Sequence, residues 1–166
     1  TQVFDRICEL GAYSEADAAQ VVGQVAAALC HLQTHDVCHR DIKPENLIHS
    51  EEGVVKLCDF GLGRVMVEAD QNAQGRERFY SRCGSPDYVA PEVLTRVGYG
   101  RECDVWSCGC ILYVLLCGFA PFTETENVRK FKQIEQGQFD FPKPFWLHVS
   151  EDAKDLISQM LRVDPE

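Results

Sequence analysis

The stretch of residues 104–117 is apolar on nearly every face, and it constrains the fold of this chain more than any other feature does. A surface helix keeps a polar face toward water, so a helix of this composition is expected to be buried on all sides. The apolar run 108–120 is broken by Gly118 and reaches only about 13 residues, whereas a membrane-spanning helix needs about 20. We therefore expect one globular domain built around a buried core helix.

Three other segments have the pattern of amphipathic helices. Ser14 opens a capping-box sequence, and apolar residues then recur at helical spacing as far as Thr34. The segment 127–136 is more polar and is followed by Gly137, a residue typical of helix ends. Ser150 precedes a last predicted helix. The fold class predicted from these patterns is mainly α.

A short β-hairpin is predicted between the first and second of these helices. Residues 47–49 and 54–58 are short apolar or alternating runs, and the turn-forming residues 50–53 separate them. Asn46 directly precedes the first run and Asp59 directly follows the second. Pairing of the two strands would therefore bring Asn46 and Asp59 together.

Three segments occur in a characteristic order along the chain. They are His-Arg-Asp-Ile-Lys-Pro-Glu-Asn at 39–46, Asp-Phe-Gly at 59–61 and Ala-Pro-Glu at 90–92. Together they resemble the catalytic loop, the metal-binding loop and the end of the activation segment of a eukaryotic protein kinase. Agreement at this many positions is improbable by chance. The resemblance implies the C-terminal lobe of the kinase fold, a helical lobe with a short β-hairpin that carries the catalytic and metal loops.

The resemblance covers residues 1–166 and is to the C-terminal lobe alone. The chain contains no Gly-x-Gly-x-x-Gly run and no Val-Ala-x-Lys strand before the catalytic loop, the parts of the N-terminal lobe that hold the ATP phosphates. In the family, the Glu of Ala-Pro-Glu, here Glu92, pairs with an arginine that follows an Asp-Pro. Asp164-Pro165-Glu166 ends this chain. We therefore expect a partial kinase domain that lacks the N-lobe and the end of the C-lobe.

The resemblance implies chemical roles for five residues. Asp41 would orient the substrate hydroxyl and accept its proton, and Lys43 would contact the γ-phosphate, as a lysine does in serine/threonine kinases. Asn46 and Asp59 would bind Mg²⁺, because they offer the hard oxygen ligands that this ion prefers. Lys43, Glu45, Asn46 and Asp59 would together form the ATP site. Taken singly, Asp41, Asn46 and Asp59 are also typical of turns.

The segment 83–92 resembles the peptide-docking segment of serine/threonine kinases. Ser85 would contact the substrate and form hydrogen bonds with Asp41 and Lys43. Glu92 has a structural role in the family. Asp104 matches the buried aspartate that holds the backbone of the catalytic loop from below, and an N-cap role for Asp104 is compatible with this.

Finer features resemble the calcium/calmodulin-dependent protein kinase group. The similarity lies in residues 3–7, in Pro-Glu-Asn at 44–46 and in residues 116–122. Many members of that group prefer arginine upstream of the phosphorylated residue, and Glu45 matches one acidic position that binds it. Gln2 occupies a second such position, which weakens the expectation of basic substrates. The resemblance implies protein or peptide substrates, and calmodulin or calcium-linked regulation through segments outside this chain.

A regulatory site is expected at Ser81. It lies two residues before Cys83, where related kinases carry an activating phosphorylated residue. Arg40 and Arg64 match two basic positions that hold such a phosphate in the family, through charge-assisted hydrogen bonds. Tyr80 is the adjacent alternative, and an ordinary loop hydroxyl at Ser81 is the other.

Composition narrows the classes of function. The net charge of −10 argues against binding to nucleic acid, which requires clustered Lys and Arg. No segment predicts membrane insertion. The nine cysteines include no Cys-x-x-Cys pair, so zinc and redox motifs lack their spacing signal. An odd number of cysteines in apolar segments favours a reducing intracellular compartment, the cytoplasm, with the nucleus as the alternative.

The sequence therefore predicts a serine/threonine protein kinase that uses ATP and Mg²⁺. This chain would supply the catalytic loop, the metal loop and the activation segment, and alone it is expected to be inactive. The alternative is a pseudokinase or truncated lobe that acts as a binding or scaffold module. An unrelated helical domain would leave the three segments unexplained.

Overall fold

The computed structural model describes residues 2–66, 78–95 and 98–165, and this part of the chain is mainly helical, as predicted. The helices are α1 (Val3–Leu10), α2 (Glu15–Thr34), α3 (Pro91–Thr95), α4 (Glu102–Cys117), α5 (Asn127–Glu135) and α6 (Glu151–Met160). The strands are β1 (Val37–Cys38), β2 (Leu47–His49), β3 (Val55–Leu57) and β4 (Arg64–Val65). None of the described helices is long and apolar enough to cross a membrane.

Helix α4 is the core of the fold. Of its 16 residues only Glu102 and Val105 are exposed, in agreement with the all-round apolar pattern. Helix α2 packs on one part of its surface and α6 on another. The approach of α6 is close at Gly109, where a Cβ atom would lie 2.8 Å from the Cβ of Met160. The helices thus enclose α4 through contacts that leave little room for larger side chains.

The predicted hairpin is formed by β2 and β3. The two strands are antiparallel, with Leu47 opposite Leu57. A 3₁₀ turn, Pro44–Asn46, leads into β2, and the amide of Cys58 donates a hydrogen bond of 2.9 Å to the carbonyl oxygen of Asn46. The hairpin therefore places Asp59, the next residue after Cys58, beside the end of the catalytic-loop segment, defined here as residues 39–46.

A second antiparallel pair was not expected from the sequence. Val37 of β1 lies opposite Val65 of β4, and Cys38 lies opposite Arg64. Each strand has only two residues, which is too short for an alternating pattern to stand out. The pairing fixes the chain on both sides of the catalytic-loop segment and the hairpin.

The catalytic-loop segment is attached to α4 by the carboxylate of Asp104. Its Oδ2 atom accepts a hydrogen bond of 2.8 Å from the amide of His39, and its Oδ1 atom accepts one of 2.8 Å from the amide of Arg40. The side chain is buried. It lies within the first turn of α4, whose N-cap residue is Arg101, so the N-cap role considered for Asp104 is wrong. Asp104 thus connects the core helix directly to the backbone of the loop.

Gly118 ends α4 in a conformation that only glycine adopts readily. Its φ angle is 87°, and a Cβ atom there would lie 2.3 Å from the carbonyl oxygen of Gly11. We predict that Gly118→Ala lowers the free energy of unfolding by at least about 1 kcal/mol, because both backbone strain and a clash oppose it. Gly23, inside α2 with nothing near its Cβ position, is the control. Gly23→Ala should raise that free energy by about 0.5 to 1 kcal/mol, and equal effects of the two changes in denaturant unfolding would contradict this account.

The Asp104 attachment gives a second prediction. Asp104→Ala should lower the free energy of unfolding by about 1 to 3 kcal/mol, because two buried amides lose their acceptor. Asp152→Ala, at an exposed position on α6, is the matched control and should change it by less than about 0.5 kcal/mol. Denaturant unfolding measures both. An unchanged midpoint in the Asp104 variant would show that the attachment contributes nothing to stability.

Candidate active site

Two residues have an uncommon backbone conformation, one in the catalytic-loop segment and one in the loop that follows the hairpin. Arg40 and Asp59 have φ angles of 67° and 60°, in the left-handed region that residues other than glycine rarely occupy. Such conformations persist where surrounding contacts determine them. Asp104 accepts from the amide of Arg40, and the Oδ1 atom of Asp59 accepts a hydrogen bond of 3.1 Å from the amide of Gly61. Both loops are therefore held in shape by carboxylates.

The carboxylate of Asp41 is the centre of a network of polar side chains. Its Oδ2 atom accepts a hydrogen bond of 2.8 Å from the Nζ atom of Lys43, and its Oδ1 atom accepts one of 3.0 Å from the hydroxyl of Ser85. Lys43 also donates to the Ser85 hydroxyl, at 3.2 Å. The Nδ2 atom of Asn46 lies 3.4 Å from Oδ2 and donates to the backbone carbonyl of Asp41 at 2.8 Å. The fold thus brings four of the predicted site residues together.

This network sets the protonation state of Asp41. Burial alone would raise the pKa of its carboxyl, but the hydrogen bonds from Lys43, Ser85 and Asn46 and the charge of Lys43 outweigh burial and lower it. The hydrogen bond to Asp41 in turn raises the pKa of Lys43. At neutral pH the site therefore contains an ionised carboxylate beside a protonated amine. A carboxylate of this kind can orient a hydroxyl group and accept its proton.

Asn46 and Asp59 offer oxygen atoms to a metal. Asn46 is buried, and because its Nδ2 atom donates to Asp41, its Oδ1 atom remains as a ligand. Asp59 is exposed, and among the described residues only Gly61 donates to its carboxylate, at Oδ1. An amide oxygen and a carboxylate oxygen are hard ligands, so the two residues fit Mg²⁺.

His39 connects the two loops, a role that the sequence analysis did not assign to it. Its Nδ1 atom accepts a hydrogen bond of 3.3 Å from the amide of Asp41, so its Nε2 atom carries the proton and donates to the carbonyl of Cys58 at 3.0 Å. The ring of Phe60 packs edge-on against the imidazole, with centroids 4.7 Å apart. His39 is fully buried. The only sign of this role in the sequence was that His39 belongs to the first motif.

The structure places Ser81 next to Arg40. The NH1 group of Arg40 donates to the Ser81 hydroxyl at 3.2 Å and to the hydroxyl of Tyr99 at 3.2 Å. Tyr99 in turn donates to the carbonyl of Ser81 at 2.7 Å. Arg64 is exposed in β4 and, among the described residues, forms no hydrogen bond with Ser81. Tyr99 was not predicted from the sequence, in which two flanking glycines just before α4 are its only distinguishing feature.

The docking segment, defined here as residues 83–92, lies against α5. Lys130 of α5 forms an ion pair with Asp87. Glu45 is half-buried, and its Oε2 atom has no hydrogen-bond partner in the described part of the chain. Burial raises the pKa of Tyr88, and the negative charge of Glu45 adds to this effect.

Glu92 is half-buried at the start of α3. Burial raises the pKa of its carboxyl. No ion pair joins it to any residue that the structure describes. Together with Trp106 and Arg162 it lines a cavity of about 170 Å³ between α4 and the end of α6.

Comparison with known proteins covers the whole chain. Residues 1–166 match the family model described as protein kinase domain. A probable myosin light chain kinase of Dictyostelium discoideum is 44% identical, over 99% of this chain and 41% of that protein. Calcium/calmodulin-dependent protein kinase type 1B of Homo sapiens is 41% identical, over 99% of this chain and 47% of that protein. The type 1 kinase of Macrobrachium nipponense is 42% identical, over 99% and 46%.

The chain thus spans less than half the length of these three relatives. Their similarity, together with the match over all residues, confirms the resemblance to serine/threonine kinases of the calcium/calmodulin-dependent type. The chain belongs to the protein kinase domain family.

Proposed function

We propose that this chain is the C-terminal lobe of a protein kinase domain and that the protein containing it phosphorylates serine or threonine in other proteins, with Mg-ATP as the donor. The observation that carries the proposal is the carboxylate of Asp41, hydrogen-bonded to both Lys43 and Ser85. The helical fold and the relatives at 41 to 44% identity support it. Phosphoryl transfer asks a protein mainly to position groups and to neutralise charge, and this site offers groups for both tasks.

Each polar side chain of the site has a task in this reaction. Asp41 holds the substrate hydroxyl and accepts its proton as the new O–P bond forms and the bond to the nucleoside diphosphate breaks. Lys43 places a positive charge beside Asp41 and Ser85, where negative charge on the moving phosphoryl group needs neutralisation. Asn46 and Asp59 would supply oxygen ligands for Mg²⁺. When bound, Mg-ATP supplies an activated phosphoryl group whose charge the metal partly offsets.

The substrate class follows from the docking side of the site. The Oε2 atom of Glu45 is buried and unpaired among the described residues, and a buried carboxylate oxygen without a donor is costly. A cationic side chain of a substrate peptide would supply the missing donor. We therefore propose peptide substrates with a basic residue near the phosphorylated position. Regulation by calcium or calmodulin, through parts of the protein outside this chain, belongs to the same proposal.

A binding module without catalysis is the competing function. A scaffold has no chemical need for an ionised Asp41 beside a protonated Lys43. No contact of the described residues favours the scaffold over the kinase. The two differ in whether Asp41 is needed for turnover.

We predict that Asp41→Asn lowers turnover of the full-length protein by about two to four orders of magnitude, the range typical of losing a general base. The measurement is the rate of phosphate transfer from Mg-ATP to a serine peptide. Asp152→Asn, at an exposed position on α6, is the control and should leave the rate unchanged. A thermal unfolding curve verifies that both variants fold. Full turnover in the Asp41 variant would refute the catalytic assignment.

Phosphorylation of Ser81 is predicted to activate the protein. A phosphate there would receive charge-assisted hydrogen bonds from Arg40, already in contact with the hydroxyl, and each contributes about 1.5 to 3 kcal/mol. We expect at least about a tenfold rise in activity after phosphorylation, which Ser81→Ala abolishes. Tyr80→Phe is the matched control for the neighbouring hydroxyl and should keep the response. Arg64→Ala tests whether the second predicted arginine also binds the phosphate. Full activation of the Ser81 variant would place the switch elsewhere.

A further inference from the structure

Two cysteine thiols lie side by side beneath the catalytic-loop segment, and the proposed function uses neither of them. Cys38 and Cys103 have their Sγ atoms 3.7 Å apart. Cys38 directly precedes His39 in the chain, and Cys103 directly precedes Asp104. The Sγ atom of Cys38 lies 3.5 Å from Oδ2 of Asp104, and that of Cys103 lies 3.9 Å from Oδ1. All three side chains are buried.

The distances between these atoms match the edges of a tetrahedral metal site. With Zn–S bonds of about 2.3 Å and a Zn–O bond of about 2.0 Å, a tetrahedron has an S···S edge of about 3.8 Å and an S···O edge of about 3.5 Å. The corresponding distances here are 3.7 Å between the two sulfur atoms, 3.5 Å from Cys38 to Oδ2 and 3.9 Å from Cys103 to Oδ1. A disulfide needs the sulfur atoms at about 2.05 Å, so they would have to approach by more than an ångström. The cluster is thus nearer to the geometry of a shared cation than to that of a covalent bond.

We propose that Cys38, Cys103 and Asp104 form a binding site for a thiophilic divalent cation, with Zn²⁺ as the ion that their geometry fits. The carbonyl oxygen of Gly100, 3.6 Å from the Sγ atom of Cys38, is the nearest candidate for a fourth ligand. Metal-binding carboxylates are commonly oriented by further hydrogen bonds. The amides of His39 and Arg40 already orient Asp104 in this way.

Zinc binds cysteine in its thiolate form. Binding of Zn²⁺ here would form two Zn–S bonds and release two thiol protons to solvent, with no change of oxidation state, so affinity should rise with pH.

The site lies beside a cavity, and a bound ion would have a structural consequence. A cavity of about 130 Å³ is lined by residues adjacent to both cysteines, among them Val37 and Glu102, and by Asp104 itself. A bound ion would link β1, the catalytic-loop segment and α4 at one point. Because a ligand that binds only the folded state stabilises it, Zn²⁺ should raise the unfolding temperature.

The sequence contains no zinc motif at this site because the two cysteines are far apart in the chain. A Cys-x-x-Cys search requires neighbouring positions. Here strand β1 and helix α4 bring the two residues together across the fold. The site is therefore visible only in the folded chain.

The test uses the full-length protein with the exposed Cys8 and Cys30 replaced by Ser, so that surface thiols do not compete. Zn²⁺ is titrated against a chromophoric chelator, and X-ray absorption of the loaded protein identifies the atoms bound to zinc. We expect one ion per chain, a coordination shell with two sulfur atoms and a rise in unfolding temperature that saturates at one equivalent. A shell without sulfur would overturn the proposal, and this result does not depend on any variant of the site.

Single substitutions then assign the ligands. Cys38→Ser and Cys103→Ser should each weaken Zn²⁺ binding at least about tenfold, whereas Cys108→Ser should not. Cys108 is the matched control because it is a buried cysteine of the same helix outside the cluster. Unchanged binding in the Cys38 variant would overturn the assignment. Recovery of the protein with a Cys38–Cys103 disulfide and no affinity for zinc would also overturn it.

Discussion

The carboxylate of Asp104 accepts two backbone hydrogen bonds from the catalytic-loop segment, and the geometry of the candidate active site depends on this contact. The contact is strong because the carboxylate is buried. An unpaired buried carboxylate is strongly unfavourable, so the loop amides and the carboxylate hold each other in place. Asp104 also belongs to α4, the most deeply buried helix of the described chain. The position of the loop is therefore fixed by the rigid core and not by other loops.

The residues that Asp104 holds connect the three sequence motifs to one another. The amides that Asp104 holds belong to His39 and Arg40, whose side chains reach in different directions. His39 bonds to the carbonyl of Cys58, just before Asp59. Arg40 bonds to the carbonyl of Leu62 at 2.7 Å and to Ser81. The residue that follows, Asp41, meets Ser85 of the docking segment. A polar residue on the core helix thus positions the catalytic, metal and docking segments together.

Much of the fold was predictable because its signals are periodic or local. The all-round apolar pattern identified α4, serine caps located the starts of α2 and α6, and a turn between two short runs identified the hairpin of β2 and β3. The pairing of β1 with β4 was missed, since two residues give no period. Helix α1, at the start of the chain, also lacked a distinct signal.

The residues of the candidate site also fall into two groups, those that were predictable from the sequence and those that were not. Asp41, Lys43, Asn46 and Ser85 could be named from motifs, and the structure brings these four side chains into contact. Tyr99 could not be named, because its contact with Arg40 joins residues 59 positions apart and follows from the tertiary fold. The pair Cys38 and Cys103, separated by 65 positions, was hidden for the same reason. Motifs specify chemical groups, whereas the supporting contacts between distant segments require the folded chain.

Amide hydrogen exchange at the catalytic-loop segment tests the central role of Asp104 most directly, because it observes the two supported amides themselves. In Asp104→Asn, which keeps the size of the side chain but removes its charge, the amides of His39 and Arg40 should exchange faster. The amide of Cys58, bonded to the carbonyl of Asn46, should keep its protection. If His39 and Arg40 remain as protected as in the unaltered protein, the loop is held by other contacts, and Asp104 is not the residue on which the site depends.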